Sequence, residues 1–280
     1  MPAPQPLPYQ GSKRRLAPAI LARFPAEVER LVEPFAGSAA LSLAAASTGQ
    51  ARRFLLGDVL APLASLWAEI LGDPEALATA YAALWQAQLK DPRGHYDAVR
   101  RAFNAEGGAA RLLYLLNRCV KGAVRFNRAG EFNQGPDNRR LGARPAVVRA
   151  RLRAAHALLA GRAEVRAADY AALLAEATPA DLVYLDPPWV GVSGTRDARY
   201  RQGLDLQRFL AELERANARG LRYLVSLDGR LGARCYGPAL PASLGLRRIE
   251  LPAGRSAQAT LHGRVEETFE SLYLGPGLGK

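Results

Sequence analysis

The sequence predicts an α/β protein: a Rossmann-like, doubly wound, mostly parallel sheet carrying an inserted, mainly helical segment. Three observations predict it. Short apolar runs alternate with helical patterns toward both ends of the 280-residue chain, and such βαβ alternation demands parallel strands. Several of those runs end on a carboxylate, where the ligand-binding edge of an open α/β sheet lies. Between roughly residues 62 and 161 the strand signal disappears and helical periodicity takes over.

In chain order, residues 12–23 read as a helix begun at Gly11-Ser12. Leu31 to Phe35 is a buried strand closed by a turn at Pro34 and Gly37. Ser38 is placed to cap the helix AALSLAAAS, since a serine oxygen can take an orphan amide of the first turn. Phe54 to Gly57 is a second strand, ending at Asp58. Helical stretches then run through PLASLWAEIL, PEALATAYAALWQAQL, YDAVRRAFN and AARLLYLLNRCV. A polar loop follows at 121–144, and then VVRARLRAAHALLA. Strands return at 163–168, 182–185 and 222–227, leading to Asp169, Asp186 and Asp228. LRRIEL and ETFESLYL read as a terminal hairpin. The division expected is a sheet domain from 1–61 and 162–280, with 62–161 packing as a separate helical lobe.

A formal net charge of +12 and a pI near 10.2 suit a polyanionic partner. Arginine far outnumbers lysine, and its planar fork matches phosphates and guanine edges; a codon bias toward Ala, Leu and Arg is the bland alternative. Cys119 and Cys235 cannot build a disulfide framework, and the three histidines are scattered, so no metal is expected. Cys119, Trp67 and Trp85 read as packing residues. No signal-peptide core and no apolar run of membrane-spanning length stands out, so the chain reads as cytoplasmic.

The segment that carries chemistry is LVYLDPPW, 182–189. An apolar strand delivers an acid, two prolines and an aromatic to the sheet edge. A nucleobase amino group is a poor nucleophile because its lone pair is delocalised into the ring. A carboxylate (Asp186) and a carbonyl fixed by the rigid Pro187-Pro188 unit can each accept one of its N–H bonds, which frees that lone pair. Trp189 offers a face on which an extruded base can stack. The bland alternative is an ordinary Asp-Pro turn.

Six segments, in order, resemble the DNA adenine methyltransferases in which a cofactor motif precedes the target-recognition insert and an Asp-Pro-Pro-aromatic motif follows it. PYQGSK (8–13) is similar to the N-terminal aromatic-x-Gly-Gly-Lys segment, and VEPFAGSAAL (32–41) to the Phe-x-Gly-x-Gly cofactor loop. GDVLAPLASLW (57–67), NRCVKGAVRFNRAGEFNQGP (117–136), AADYAALL (167–174) and YLDPPW (184–189) complete the set. The resemblance implies a methyltransferase sheet with a helical recognition insert, S-adenosylmethionine as cofactor and double-stranded DNA as substrate. A cognate restriction endonuclease is a candidate further partner. It implies a cofactor site of Tyr9, Lys13, Glu33, Pro34, Phe35, Gly37, Ser38, Asp58, Val59, Asp169, Tyr170 and Asp186, and a catalytic group of Asp186, Pro187, Pro188 and Trp189. Two departures stand out: Ala39 where the family usually has a second glycine, and Trp189 where it usually has tyrosine.

The residues themselves agree. The acid after the second strand, Asp58, can accept both ribose hydroxyls, as in dinucleotide folds, and Asp169 can accept the cofactor's adenine amino group. The cofactor's carboxylate suits a helix N-terminus or Lys13. In the recognition segment, Arg forks read guanine while Asn and Gln read adenine. Its expected DNA contacts are Lys121, Arg125, Asn127, Arg128, Asn133, Arg139 and Arg140, joined by Lys13, with Arg125 near a base edge by resemblance. Three other readings compete: a methyltransferase acting on cytosine amino groups in DNA or on a base in RNA, a catalytically silent DNA-binding module, and a nicotinamide oxidoreductase. The last lacks the Gly-x-Gly-x-x-Gly fingerprint.

Overall fold

The computed structural model describes residues 3–127, 129–188, 204–231, 234–235, 239–255 and 267–279. A 3₁₀ turn at Lys13–Arg15 is followed by α1 (Ala17–Leu21). The single helix expected over 12–23 is thus split. Pro18 supplies no N–H, so it sits in the first turn of a new helix rather than inside a longer one. Then come β1 (Val28–Glu33), α2 (Ala40–Thr48) and β2 (Ala51–Asp58). Five helices follow: α3 (Ala61–Gly72), α4 (Pro74–Ala87), α5 (Pro92–Glu106), α6 (Ala109–Arg118) and α7 (Pro145–Leu159). The chain returns to the sheet through β3 (Ala163–Ala167), α8 (Tyr170–Glu176), β4 (Leu182–Leu185), α9 (Leu206–Ala218), β5 (Arg222–Leu231), β6 (Arg234–Cys235), β7 (Arg247–Arg255) and β8 (Glu267–Leu274).

The strand order is β3-β2-β1-β4-β5-β8-β7, with β6 paired to β5. The first five strands run parallel and β8 and β7 antiparallel, so this is the mainly parallel, Rossmann-like sheet that the alternation predicts. The period of two along each strand sorts its side chains between two cores. Leu31, Phe54, Leu56, Leu182 and Tyr184 face one layer. Val32, Leu55, Val183 and Leu185 face the other, against Tyr170 and Leu173 of α8 and Phe209 and Leu213 of α9.

One expectation changes. The strand expected to stop before Asp228 continues to Leu231, because β8 offers it an antiparallel partner through an irregularity between Leu227 and Arg230. The helical segment also lies against the sheet. α3 packs on β2 and β3 and α7 on α2, and Trp67, Tyr114 and Leu152 are buried in the same cluster as Leu31 and Phe54.

Candidate active site

β1, β2 and β4 end side by side, and the loops leaving them wall a cavity of about 830 Å³. That is within the roughly 300–1,000 Å³ usual for small-molecule sites. All twelve residues expected to hold a cofactor line it, as do Pro187 and Pro188.

The loop after β1 is shaped by backbone constraints. Gly37 has φ +49°, and a Cβ there would meet the Tyr9 ring at 3.0 Å, so only glycine lets that ring close over the turn. Ala39 is also left-handed, with φ +48°, at the position where the resemblance expects glycine. Ser38 does not cap α2: its hydroxyl donates to Ser12 Oγ at 2.8 Å. The cap comes from Glu33, whose Oε2 accepts the Ser42 amide at 3.0 Å and also the Ser42 hydroxyl. Burial pushes the Glu33 carboxyl up to about 7 against those hydrogen bonds. Trp67 of α3 has a role besides packing, since its indole N–H donates to the Gly37 carbonyl at 2.8 Å.

Asp58 closes the same loop from β2. Its Oδ2 accepts the Gly37 amide at 3.2 Å and its Oδ1 the Leu60 amide at 3.0 Å. Burial pushes this carboxyl up to about 6, while the two amides pull it down. Phe35 stacks on Tyr170, with centroids 5.1 Å apart and planes at 26°. The Tyr170 hydroxyl is buried without a hydrogen-bond partner. Asp169 caps α8 through the Ala171 amide and forms a bidentate pair with Arg208, at 2.6 and 3.1 Å. Arg208 also lies over the Tyr170 ring and lines the cavity. Nothing in the sequence marked it, because α9 is joined to α8 only by folding.

Lys13 is drawn into the protein. It is 4% exposed, and its ammonium lies 2.9 Å from Asp186 Oδ1 and 3.2 Å from Glu270 Oε2 of β8. Burial lowers its pKa, but the two carboxylates outweigh burial and hold it above the ordinary lysine value. Enclosed this way, it faces carboxylates on two sides. Tyr184, also on the cavity wall, hydrogen-bonds Ser226 Oγ at 2.7 Å.

The recognition segment is a small hairpin. Phe126 bridges to Phe132, and both rings turn inward, Phe132 against Phe103. Asn127 is committed to this turn: its amide donates to Glu131 Oε2 at 2.8 Å and its Oδ1 accepts the Glu131 N–H at 2.9 Å. Arg125 is half-buried, with an unpartnered Nε. Lys121, Asn133, Arg139 and Arg140 are exposed. Arg128 and Trp189 lie outside the described residues. Buried Arg118 donates to the carbonyls of Asp137, Arg140 and Pro92, and so fixes the loop's far end. Burial pushes the Cys119 thiol up to about 12, so it is no nucleophile at neutral pH. Among the described residues no group of three or more His, Cys, Asp or Glu could hold a metal ion, and no helix is long and apolar enough to cross a membrane.

Comparison with known proteins follows the same outline. The family described as D12 class N6 adenine-specific DNA methyltransferase matches residues 9–220. The chain is 30% identical over 219 residues to the DNA N-6-adenine-methyltransferase of Escherichia phage P1, covering 74% of this chain and 28% of that protein. It is 29% identical over 191 residues to the Retron Ec67 DNA adenine methylase of Escherichia coli, covering 66% and 63%. Against a DNA adenine methylase of Vibrio cholerae it is 27% identical over 230 residues, 79% of each. The chain thus spans less than two thirds of the length of the first two relatives.

Proposed function

The chain belongs to the D12 class N6 adenine-specific DNA methyltransferases, and on that premise we propose that it transfers a methyl group from S-adenosylmethionine to the exocyclic amino group of adenine in double-stranded DNA. The observation that carries the reading is the Asp186-Pro187-Pro188 turn opening into the same cavity as Asp58, Glu33 and Asp169.

The cavity fits the donor chemically. S-adenosylmethionine carries a sulfonium and an ammonium, and the lining is rich in carboxylates. Asp58 lies where a carboxylate takes ribose hydroxyls. The Phe35–Tyr170 pair offers an aromatic wall, and the buried Tyr170 hydroxyl still lacks a partner. The donor's carboxylate suits a helix N-terminus or the neighbourhood of Lys13. When bound, the donor supplies an electrophilic methyl group.

The protein's own residues do the rest. Asp186 and the Pro187 carbonyl accept the two N–H bonds of the target amino group, so its lone pair turns toward the incoming methyl. Asp186 works as an ionised acceptor and need not be a strong base, since the amino proton becomes acidic only as the new N–C bond forms. No cysteine adduct is required. The base leaves the duplex to reach this site, at a cost of a few kcal/mol. Residues 62–161 serve as the target-recognition part: Arg125 reads a base edge, and Lys121, Arg139 and Arg140 hold phosphates.

The test is transfer of labelled methyl groups to duplex DNA, followed by nucleoside analysis. Label in N6-methyladenine is the expected result; label in cytosine, or in RNA alone, refutes the reading.

A further inference from the structure

Glu270 belongs to none of the six motifs and does not line the cavity, yet it reaches the catalytic carboxylate through one intermediary. β8 runs antiparallel beside β5 and carries Glu270 to 3.2 Å from the Lys13 ammonium, which lies 2.9 Å from Asp186 on its other side. We propose that Glu270 is a positioning residue for methyl transfer: by drawing on the Lys13 ammonium from the side away from Asp186 it strengthens Asp186 as an acceptor for the target amino group. This rests on the role assigned to Asp186 above.

The argument is electrostatic. A buried ammonium with one carboxylate partner makes a neutral, tightly held pair. Such a carboxylate is a poor acceptor for further N–H bonds. With Glu270 present, Lys13, Asp186 and Glu270 together carry one net negative charge, retained where positive charge develops on the amino nitrogen. The contact is longer on the Glu270 side, 3.2 Å against 2.9 Å. The ammonium thus lies within ion-pair distance of both carboxylates.

Two further titratable groups face this cluster. Glu33, from β1, is pushed up to about 7 by burial first and then by the charge of Asp186. Tyr184, from β4, is held well above the ordinary tyrosine value by burial, and then by Asp186, Glu270 and Glu33.

Glu270→Gln in the full chain tests this, since it keeps the shape and removes the charge. With duplex DNA and labelled donor, kcat should fall about tenfold, the equivalent of one pK unit of acceptor strength. KM for both substrates should stay within about twofold. The acid limb of the kcat profile should move to lower pH, because the like charge that opposed ionisation of Asp186 is gone. Glu270→Asp should recover part of the rate. A second readout needs no turnover: with four lysines in the chain, ¹⁵N spectra of the ammonium groups in the ligand-free protein are simple. The Lys13 signal should be lost at lower pH in Glu270→Gln than in the parent. An unshifted pH profile with normal kcat, or an unchanged Lys13 titration, overturns the proposal; so does a lowered Tm alone. If the parent chain transfers no methyl group to DNA, the Asp186 reading fails first, and the Lys13 titration still tells whether Glu270 shares the ammonium.

Discussion

Asp58→Asn should strengthen the ligand-free fold and weaken the site together. The Asp58 carboxyl, half-buried at the end of β2, is pushed up to about 6 by burial. An acid whose pKa is higher in the native than in the unfolded chain holds an extra proton in the native state between the two values. Its folding stability therefore falls as pH rises from about 4 through about 6. The cost above that window is at most ~3 kcal/mol. Asparagine removes it but keeps one acceptor oxygen for two backbone amides, losing ~1 kcal/mol. The net gain is ~1–2 kcal/mol, a Tm rise of about 2–5 °C at pH 7.5 for a chain of this size. Below about pH 4, where the parent acid is protonated too, the gain should vanish. Affinity for S-adenosylmethionine, measured by calorimetry, should meanwhile fall at least tenfold. Two charge-assisted hydrogen bonds to the ribose, at roughly 1.5–3 kcal/mol each, set the upper limit. Unchanged affinity takes Asp58 out of the cofactor site. A Tm that falls at pH 7.5 refutes the charge argument, because the carboxylate would then be a net structural support.

Other outcomes follow from the same geometry. Asp186→Ala should abolish methyl transfer while DNA binding, read by fluorescence anisotropy, stays close to normal, since phosphate contacts dominate affinity; residual turnover near the parent rate defeats the mechanism. Trp67→Phe strands the Gly37 carbonyl, which should cost ~1–3 kcal/mol in urea unfolding, and an unaffected midpoint means the carbonyl finds another donor. Arg125→Ala should relax sequence choice at one base by ~1–3 kcal/mol, whereas changes at Lys121, Arg139 and Arg140 should flatten the salt dependence of binding evenly across sequences. An equal loss on all sequences would make Arg125 a phosphate contact. Ala39→Gly relieves ~1–2 kcal/mol of left-handed strain but removes a fully buried methyl worth ~0.8 kcal/mol and adds chain entropy, so its stability should stay within ~1 kcal/mol of the parent; a larger change of either sign means the loop has moved.

What the sequence disclosed was local. Alternation of Leu31 with Val32 and of Phe54 with Leu55 places side chains on opposite faces without reference to the rest of the chain. The Asp-Pro-Pro turn likewise follows from one strand and its exit. What it concealed depended on pairing between distant segments. Lys13 stands beside two arginines and reads as a surface cation, and only the approach of β8 and the end of β4 encloses it. Arg208 joins Asp169 across the α8–α9 contact. Glu33 was expected at the cofactor site by resemblance alone, and its side chain also caps the helix that serine was expected to cap. The helical segment read as an insertion because its periodicity changes at residue 62, and periodicity carries no information on which core its apolar face joins.

The same long-range pairing makes the N-terminal segment the place where the separate parts of the site meet. The Gln10 amide donates to the Gly122 carbonyl at 3.1 Å. Gly122, at φ +61°, packs so closely on Pro8 that a Cβ would lie 3.0 Å from the Pro8 backbone. One residue earlier Tyr9 closes over Gly37, and three residues later Lys13 holds Asp186. The Gly122 backbone is therefore in direct contact with the segment that lies over the loop after β1 and reaches Asp186. Residues 8–13 thus link the backbone at Gly122, the turn at Gly37 and Asp186 within six positions of the chain.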